Sequence, residues 1–186
     1  KGHAVEHIKQ DQIINIPNAL TVVRILLLPV VVWRFVIGDA TGALIAYLAA
    51  MLTDALDGII ARKFNQITAL GKLLDPLADK LLVCSALICF VELDKLPAWM
   101  VIIIIAREFI ISGFRLVASD NGIVIAASWW GKSKTISQMI MIILLIADIP
   151  ALSVLNTVLI WVALILTVVS LIDYLVKNKN VLSMQN

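Results

Sequence analysis

The chain has 186 residues, of which 61% are hydrophobic and 15% are charged, and its mean hydropathy is +1.01. So large an apolar fraction exceeds that of an ordinary soluble domain and predicts an integral membrane protein. The net charge of +2 is too small to favour nucleic acid as a partner, so the basic residues matter by their positions.

The N-terminal residues 1–15 form a polar lead-in, for which we expect either loose chain or a short interfacial helix. Pro17 fits the first turn of a helix, and Asn18 or Thr21 can cap that helix. The first membrane span is predicted at residues 20–37. Arg24 lies one turn inside it and either extends to the lipid headgroups or takes part in a site.

Five further helices follow, separated by turns rich in glycine, proline and charge. The second is predicted at 40–62, a third starts near Thr68 and runs through 91, and the others are predicted at 97–117, 132–148 and 151–176. The residues between, at 120–131, are predicted to be a longer connection that holds Trp129 and Trp130. The predicted fold is therefore an all-α integral membrane protein with six transmembrane helices preceded by a short interfacial helix. The membrane domain spans 16–179, and 180–186 are a C-terminal tail.

Four aspartates stand at the facing ends of the second and third helices. Asp54 and Asp57 are three residues apart and Asp75 and Asp79 are four apart, so each pair shares one helix face. Carboxylates near an apolar layer need a partner, and a divalent cation supplies one. Oxygen ligands without His or Cys favour magnesium, manganese or calcium over zinc. The alternative is an ion-pair network without metal, with these basic residues as partners: Arg62, Lys63, Lys72 and Lys80.

The same stretch, DALDGIIARKFNQITALGKLLDPLADK at 54–80, resembles the signature of the CDP-alcohol phosphatidyltransferases. That signature reads D-x-x-D-G-x-x-A-R, eight residues, G-x-x-x-D-x-x-x-D. Every fixed position is present. The positions are Asp54, Asp57, Gly58, Ala61, Arg62, Gly71, Asp75 and Asp79.

The resemblance implies an activity and a role for each motif residue. Members of the family transfer a phosphatidyl group from CDP-diacylglycerol to an alcohol, release CMP, use two divalent ions such as Mg²⁺ or Mn²⁺, and are typically homodimers. By this resemblance Asp54, Asp57, Asp75 and Asp79 are expected to bind the metals, with Asp79 as the general base. The residues expected to contact CDP-diacylglycerol are Asp54, Gly58, Ala61, Arg62 and Gly71.

Four basic residues of the fourth and fifth helices fall at the same end as the aspartates: Arg107, Arg115, Lys132 and Lys134. Arginine offers a planar fork to phosphate and lysine a point charge, so such a cluster suits an anionic alcohol. The alternatives are topology signals or contacts with anionic lipids.

Three other segments, INIPNALTVVRILLLPV, AREFIISGFRLVAS and GIVIAASWWGKSKT, resemble the bacterial phosphatidylglycerophosphate synthases, a branch of the family. This resemblance implies that the acceptor is sn-glycerol 3-phosphate and that the four basic residues bind its phosphate. Trp129 and Trp130 are not part of the pattern of that branch. Other acceptors with the same chemistry, namely inositol phosphate, serine or phosphatidylglycerol, are the nearest alternative.

The distribution of charge predicts an orientation in the membrane. One end of the six-helix arrangement is basic, and the other carries mainly acidic residues with Arg34 and Lys95. By the positive-inside rule the termini and the aspartates face the cytoplasm. A divalent-cation transporter is a candidate of a different class, but all four aspartates lie toward one end. The residues of the basic end are Arg62, Lys63, Lys72, Arg115, Lys132, Lys134, Lys177 and Lys179.

Overall fold

The computed structural model describes residues 16–63, 69–120, 122–123, 125–126 and 128–179. Within these ranges the chain forms six α-helices and a short 3-10 helix at Pro150–Leu152. The α-helices are α1 (Ile16–Val36), α2 (Ala40–Lys63), α3 (Ala69–Glu92), α4 (Ala98–Asp120), α5 (Trp129–Ala147) and α6 (Ser153–Lys177).

The all-α prediction and the six helices are confirmed, with one change at the connection between α4 and α5. That connection is shorter than predicted, because α4 continues to Asp120 and α5 begins at Trp129. Ser128 explains the early start of α5, since its Oγ accepts a hydrogen bond of 3.1 Å from the backbone N–H of Gly131. Trp129 and Trp130 therefore stand exposed in the first helical turn. The predicted interfacial helix before residue 16 and the tail after 179 lie outside the described residues.

A tight turn reverses the chain between α1 and α2. Gly38 has a φ of +72°, which favours glycine. Asp39 then accepts hydrogen bonds of 2.8 Å from the Gly42 backbone N–H and from Arg34 Nη1. The Gly42 N–H and the Arg34 guanidinium lower the pKa of the Asp39 carboxyl. This carboxylate caps the start of α2 and holds the two helices antiparallel.

Lys95, between α3 and α4, secures the second turn at this end of the bundle. Its Nζ donates to the Leu145 carbonyl oxygen at 2.9 Å and lies 3.1 Å from Asp148 Oδ2. Residues Gly38, Lys95 and Asp148 of three connections line one small cavity of about 150 Å³. We call this the connection end. The aspartates lie toward the opposite end, the site end, where α2, α4 and α6 finish and α3 and α5 begin.

An apolar core holds the helices together between the two ends. α2 is the main neighbour of α1, and its buried face carries three alanines, Ala43, Ala46 and Ala50. Small side chains let two helices approach closely. Phe35 of α1 and Phe90 of α3 pack edge to face, with ring centroids 5.6 Å apart. α5 packs against α6, which also contacts α4.

The outer surface of the bundle is apolar on every helix. Large hydrophobic side chains are exposed along all six, including Leu26, Ile45, Ile102 and Val154. By length and composition, two described helices could cross a membrane, within Ala19–Val36 and Pro150–Lys177. The remaining α-helices carry more charge in their apolar stretches, including Asp54, Glu108 and Lys134. So much exposed apolar surface is consistent with a protein surrounded by lipid.

Replacing Phe90 by alanine should destabilise the bundle by about 3–5 kcal/mol, because the ring is fully buried against Phe35. The measurement is thermal unfolding in detergent, followed with a thiol-reactive dye that labels Cys84 and Cys89 on unfolding; these are the two cysteines of the chain. Ile102→Ala is the control, since that side chain is exposed. Equal melting temperatures for both variants would contradict the assigned core.

Candidate active site

Two motif aspartates from different helices line one cavity. Asp54 of α2 and Asp79 of α3 stand on the wall of a cavity of about 440 Å³, which we call the acidic cavity. Asp75 lies one turn before Asp79 on α3. Thus the pairing of the two aspartate-bearing helices is as predicted. The remaining motif positions lie within α2 and α3, but the structure does not describe their side chains: Asp57, Gly58, Ala61, Arg62 and Gly71.

Helix α1 supplies a polar partner to each of the two aspartate helices. Arg24 is completely buried, and its Nη1 lies 2.7 Å from Asp54 Oδ1. Thr21, also buried and one turn earlier, donates a hydrogen bond of 2.5 Å to Asp75 Oδ1. Of the two alternatives for Arg24, the structure therefore selects a role at the site rather than extension to the headgroups. Thr21 was expected only as a helix cap.

The donor chemistry of the described aspartates fits a hard divalent cation. Asp54, Asp75 and Asp79 offer carboxylate oxygens alone, the ligands that Mg²⁺ and Mn²⁺ prefer. Arg24 compensates one of these negative charges. Among the residues that the structure describes, no three His, Cys, Asp or Glu form a metal-binding group. Asp57, the fourth predicted ligand, is one whose side chain the structure leaves undescribed.

A buried ion-pair network contributes to the lining of the acidic cavity. Glu108 of α4 accepts a hydrogen bond of 3.1 Å from Arg107 Nη1 and another from Lys134 Nζ of α5. Arg107 Nε also donates to Ser170 Oγ of α6, at 3.2 Å. Lys134 and Arg107 are both buried. The network joins α4, α5 and α6, and it brings Glu108 and Lys134 to the wall of the acidic cavity.

A second cavity, of about 420 Å³, has a basic lining, and we call it the basic cavity. Arg107, Arg115 and Lys132 line it together with Tyr174 of α6, and the described lining includes no acidic residue. Ser128 and Gly131 bring the first turn of α5 to the same wall. The N-terminus of a helix carries partial positive charge, so this wall favours an anion.

The four residues predicted to form one basic cluster are thus divided between two cavities. Arg107, Arg115 and Lys132 line the basic cavity, whereas Lys134 pairs with Glu108 on the wall of the acidic cavity. Thr135 lines both cavities, which therefore adjoin. Glu108 was not among the predicted site residues. The only sequence signal for it is that the basic residues predicted at this depth require a counter-ion.

A family model described as CDP-alcohol phosphatidyltransferase matches residues 14–169 of this chain. The chain belongs to that family. The match includes the four motif aspartates, the acidic cavity and the lining of the basic cavity except Tyr174, so the resemblance seen in the sequence is confirmed.

Curated relatives of this phosphatidyltransferase align over most of its length. A CDP-diacylglycerol–glycerol-3-phosphate 3-phosphatidyltransferase of Bacillus subtilis (strain 168) is 42% identical over 92% of this chain and 99% of the relative. A protein of the same name from Haemophilus influenzae is 39% identical over 87% of this chain and 91% of its own. A probable phosphatidylglycerophosphate synthase of Mycobacterium tuberculosis (strain H37Rv) is 35% identical over 89% of this chain and 82% of the relative.

Removing the charge of Glu108 should destabilise this phosphatidyltransferase, because Glu108→Gln leaves Lys134 and Arg107 buried without their carboxylate. We expect a loss of about 3 kcal/mol, measured as thermal unfolding with the thiol-reactive dye. In the double variant Glu108→Gln/Lys134→Met the loss should be smaller, since one orphaned cation is removed.

Glu92→Gln is the matched control for this measurement, since Glu92 is exposed at the connection end. An unchanged melting temperature for Glu108→Gln would show that the network contributes nothing to stability. With Lys134→Met measured alone as the second single variant, strict additivity in the double variant would show that Glu108 and Lys134 do not interact.

Proposed function

We propose that this phosphatidyltransferase transfers the phosphatidyl group of CDP-diacylglycerol to sn-glycerol 3-phosphate, forming phosphatidylglycerol phosphate and CMP. The observation that carries this proposal is an acidic cavity directly beside a basic one, with Thr135 on both walls. The first suits a reacting hydroxyl with its base, and the second suits the phosphate of the acceptor. The names of the relatives describe the same reaction.

Asp54, Asp57, Asp75 and Asp79 are the proposed ligands of two Mg²⁺ or Mn²⁺ ions. When bound, two divalent ions would offset the charge of the pyrophosphate and of the departing CMP. Arg24 and Thr21 hold the carboxylates of Asp54 and Asp75 in place from α1. Gly58, Ala61, Arg62 and Gly71 belong to the proposed CDP-diacylglycerol site, with Arg62 giving charge-assisted hydrogen bonds to phosphate.

Asp79 is the proposed general base. The terminal hydroxyl oxygen of the acceptor attacks the phosphorus that bears the diacylglycerol group, and the bond from that phosphorus to the CMP oxygen breaks. The hydroxyl proton passes to the Asp79 carboxylate. A base must stand within reach of the proton that it removes, and the position of Asp79 on the wall of the acidic cavity is compatible with this role.

Arg107, Arg115 and Lys132 are the proposed partners of the acceptor phosphate, together with the first turn of α5. Several cations and a helix N-terminus suit a doubly charged phosphate better than an uncharged acceptor such as inositol or a zwitterion such as serine. Lys134 belongs to the acidic cavity, where Glu108 compensates its charge. We assign to Lys134 a place beside the transferring phosphate and not in the phosphate-binding wall.

The proposal includes a position in the membrane. All six helices would span the bilayer as a homodimer, with the residues before 16 at the interface and the site end toward the cytoplasm. The apolar outer surface and the two long apolar helices support a bilayer location. The basic residues at the site end support the orientation.

Purified protein in mixed micelles with Mg²⁺ or Mn²⁺ should release CMP from CDP-diacylglycerol when glycerol 3-phosphate is present. Inositol phosphate, serine and phosphatidylglycerol, each tested alone, should not replace it. Asp79→Asn should lower kcat by about 10²- to 10⁴-fold because the proton acceptor is lost, and a chelator should stop the reaction.

Asp94→Asn is the matched control for the activity measurement, since Asp94 is an exposed carboxylate at the connection end. Release with another acceptor alone would overturn the assignment of the basic cavity. No release with any of the four, from protein that still binds Mg²⁺ or Mn²⁺, would argue against a transferase and in favour of a cation transporter.

Single cysteines should test the orientation in a cysteine-free background, with Cys84 and Cys89 both replaced by alanine. Glu92→Cys lies at the connection end and should react with a membrane-impermeant maleimide in intact spheroplasts. Ser119→Cys lies at the site end and should react only after permeabilisation, because that end faces the cytoplasm. The reverse pattern of labelling would overturn the proposed orientation. Labelling of both cysteines before permeabilisation would show that the two ends do not lie on opposite sides of the membrane.

A further inference from the structure

One polar side chain of the acidic cavity has no place in the mechanism described so far. Gln138 of α5 is buried, with 4% of its surface exposed, and it lines the cavity together with Asp54 and Asp79. Its Oε1 is fully buried and has no hydrogen-bond partner among the residues that the structure describes. A buried acceptor without a partner is unfavourable, so the presence of Gln138 on the wall of this cavity points to a ligand.

Gln138 is a polar residue at the point where the buried side of α5 becomes apolar. It lies one turn beyond Lys134, and the next buried residues on this side of the helix are Met141, Ile142 and Leu145. An apolar side chain would pack at this position without leaving a buried polar atom unpaired. Gln138 is therefore the last polar group before the core, at the inner wall of the cavity.

The chemistry of an amide oxygen limits what can bind there. An oxygen acceptor needs a donor, and the ionised phosphates of CDP-diacylglycerol carry none. The donors of that substrate are the ribose hydroxyls and the cytosine amino group, and they belong to the nucleotide, which the proposed function places at Gly58, Ala61 and Arg62. A hydroxyl does match it, since a hydroxyl donates to Oε1 and can equally accept from Nε2. Glycerol 3-phosphate carries two hydroxyls, and the terminal one gives its proton to Asp79. The middle hydroxyl is the one left without an assigned partner.

We propose that Gln138 binds the middle hydroxyl of the acceptor and so determines its specificity among small alcohol phosphates. The inference rests on the proposed function and deepens it. Thr135, on the wall common to both cavities, is three residues before Gln138 on the same helix. An acceptor with its phosphate in the basic cavity and its terminal hydroxyl at Asp79 crosses this wall, and Gln138 lies on the acidic side of it.

The test compares two acceptors that differ only in that hydroxyl. Glycerol 3-phosphate is measured against 3-hydroxypropyl phosphate, which has the phosphate and the terminal hydroxyl but lacks the middle one. The readout is kcat/KM for CMP release by the full-length protein with Mg²⁺. The variants are Gln138→Met, which keeps the length of the side chain, and Gln138→Leu, with thermal unfolding as the check on folding.

The parent should prefer glycerol 3-phosphate by about ten- to a hundredfold, because the analogue leaves the buried amide without a partner. In Gln138→Met this preference should fall to within about twofold of unity, through loss of activity with glycerol 3-phosphate alone. Arg115→Ala should lower kcat/KM with both acceptors by similar factors, since both carry the phosphate. Ile140→Met, an exposed position of the same helix outside both cavities, should match the parent.

Three outcomes would overturn the inference. A parent that uses glycerol 3-phosphate but accepts the analogue equally well would leave the proposed function intact and remove the role of Gln138. A loss in Gln138→Met that is equal for both acceptors, with weaker Mn²⁺ binding, would assign Gln138 to the metal site instead. No release of CMP by the parent with glycerol 3-phosphate would overturn the proposed function together with this inference.

Discussion

Charges inside this bundle are held against opposite charges because an ionised side chain removed from water is costly without a partner. Arg24, Lys134 and Arg107 are the buried cations of the described chain, and each contacts a carboxylate. Arg24 contacts Asp54, and the other two share Glu108. Because one carboxylate serves two cations, positive charge remains in excess beside the basic cavity, where Arg107 contributes to the wall. The same constraint that stabilises the helices therefore leaves a place for an anion.

The polar contacts at the site end join the helices in two sets of three. Arg24 and Thr21 connect α1 to α2 and α3, through Asp54 and Asp75. The Glu108 network connects α4 to α5 through Lys134 and to α6 through Arg107 and Ser170. The acidic cavity is lined by both sets, by Asp54 and Asp79 from the first and by Glu108 and Lys134 from the second. The acidic cavity thus lies between two groups of helices, each joined internally by polar contacts.

Hydropathy and turn residues were sufficient to predict the six helices, because each helix buries an apolar side and ends where glycine, proline or charge interrupts it. The start of α5 was missed because the capping bond of Ser128 is a local detail that hydropathy does not record. Spacing predicted that Asp75 and Asp79 share a face, since that is a property of one helix. The pairing of Glu108 with Lys134, and the burial of Arg24, depend on which helices are neighbours, and a single sequence does not contain that information. Gln138 was missed for the same reason: its lack of a partner is visible only in the folded bundle.

Helix α5 gives the site its two-sided character. Lys132 and Ile136, four residues apart, line the basic cavity, while Lys134 and Gln138, also four apart, line the acidic one. Thr135 lies between the two faces and contributes to both. A phosphorylated acceptor needs this separation, because its phosphate is repelled by aspartates while its hydroxyl must reach one of them. Two faces of a single rigid helix hold the separation constant, since the distance between them is set by the helix geometry and not by a flexible loop.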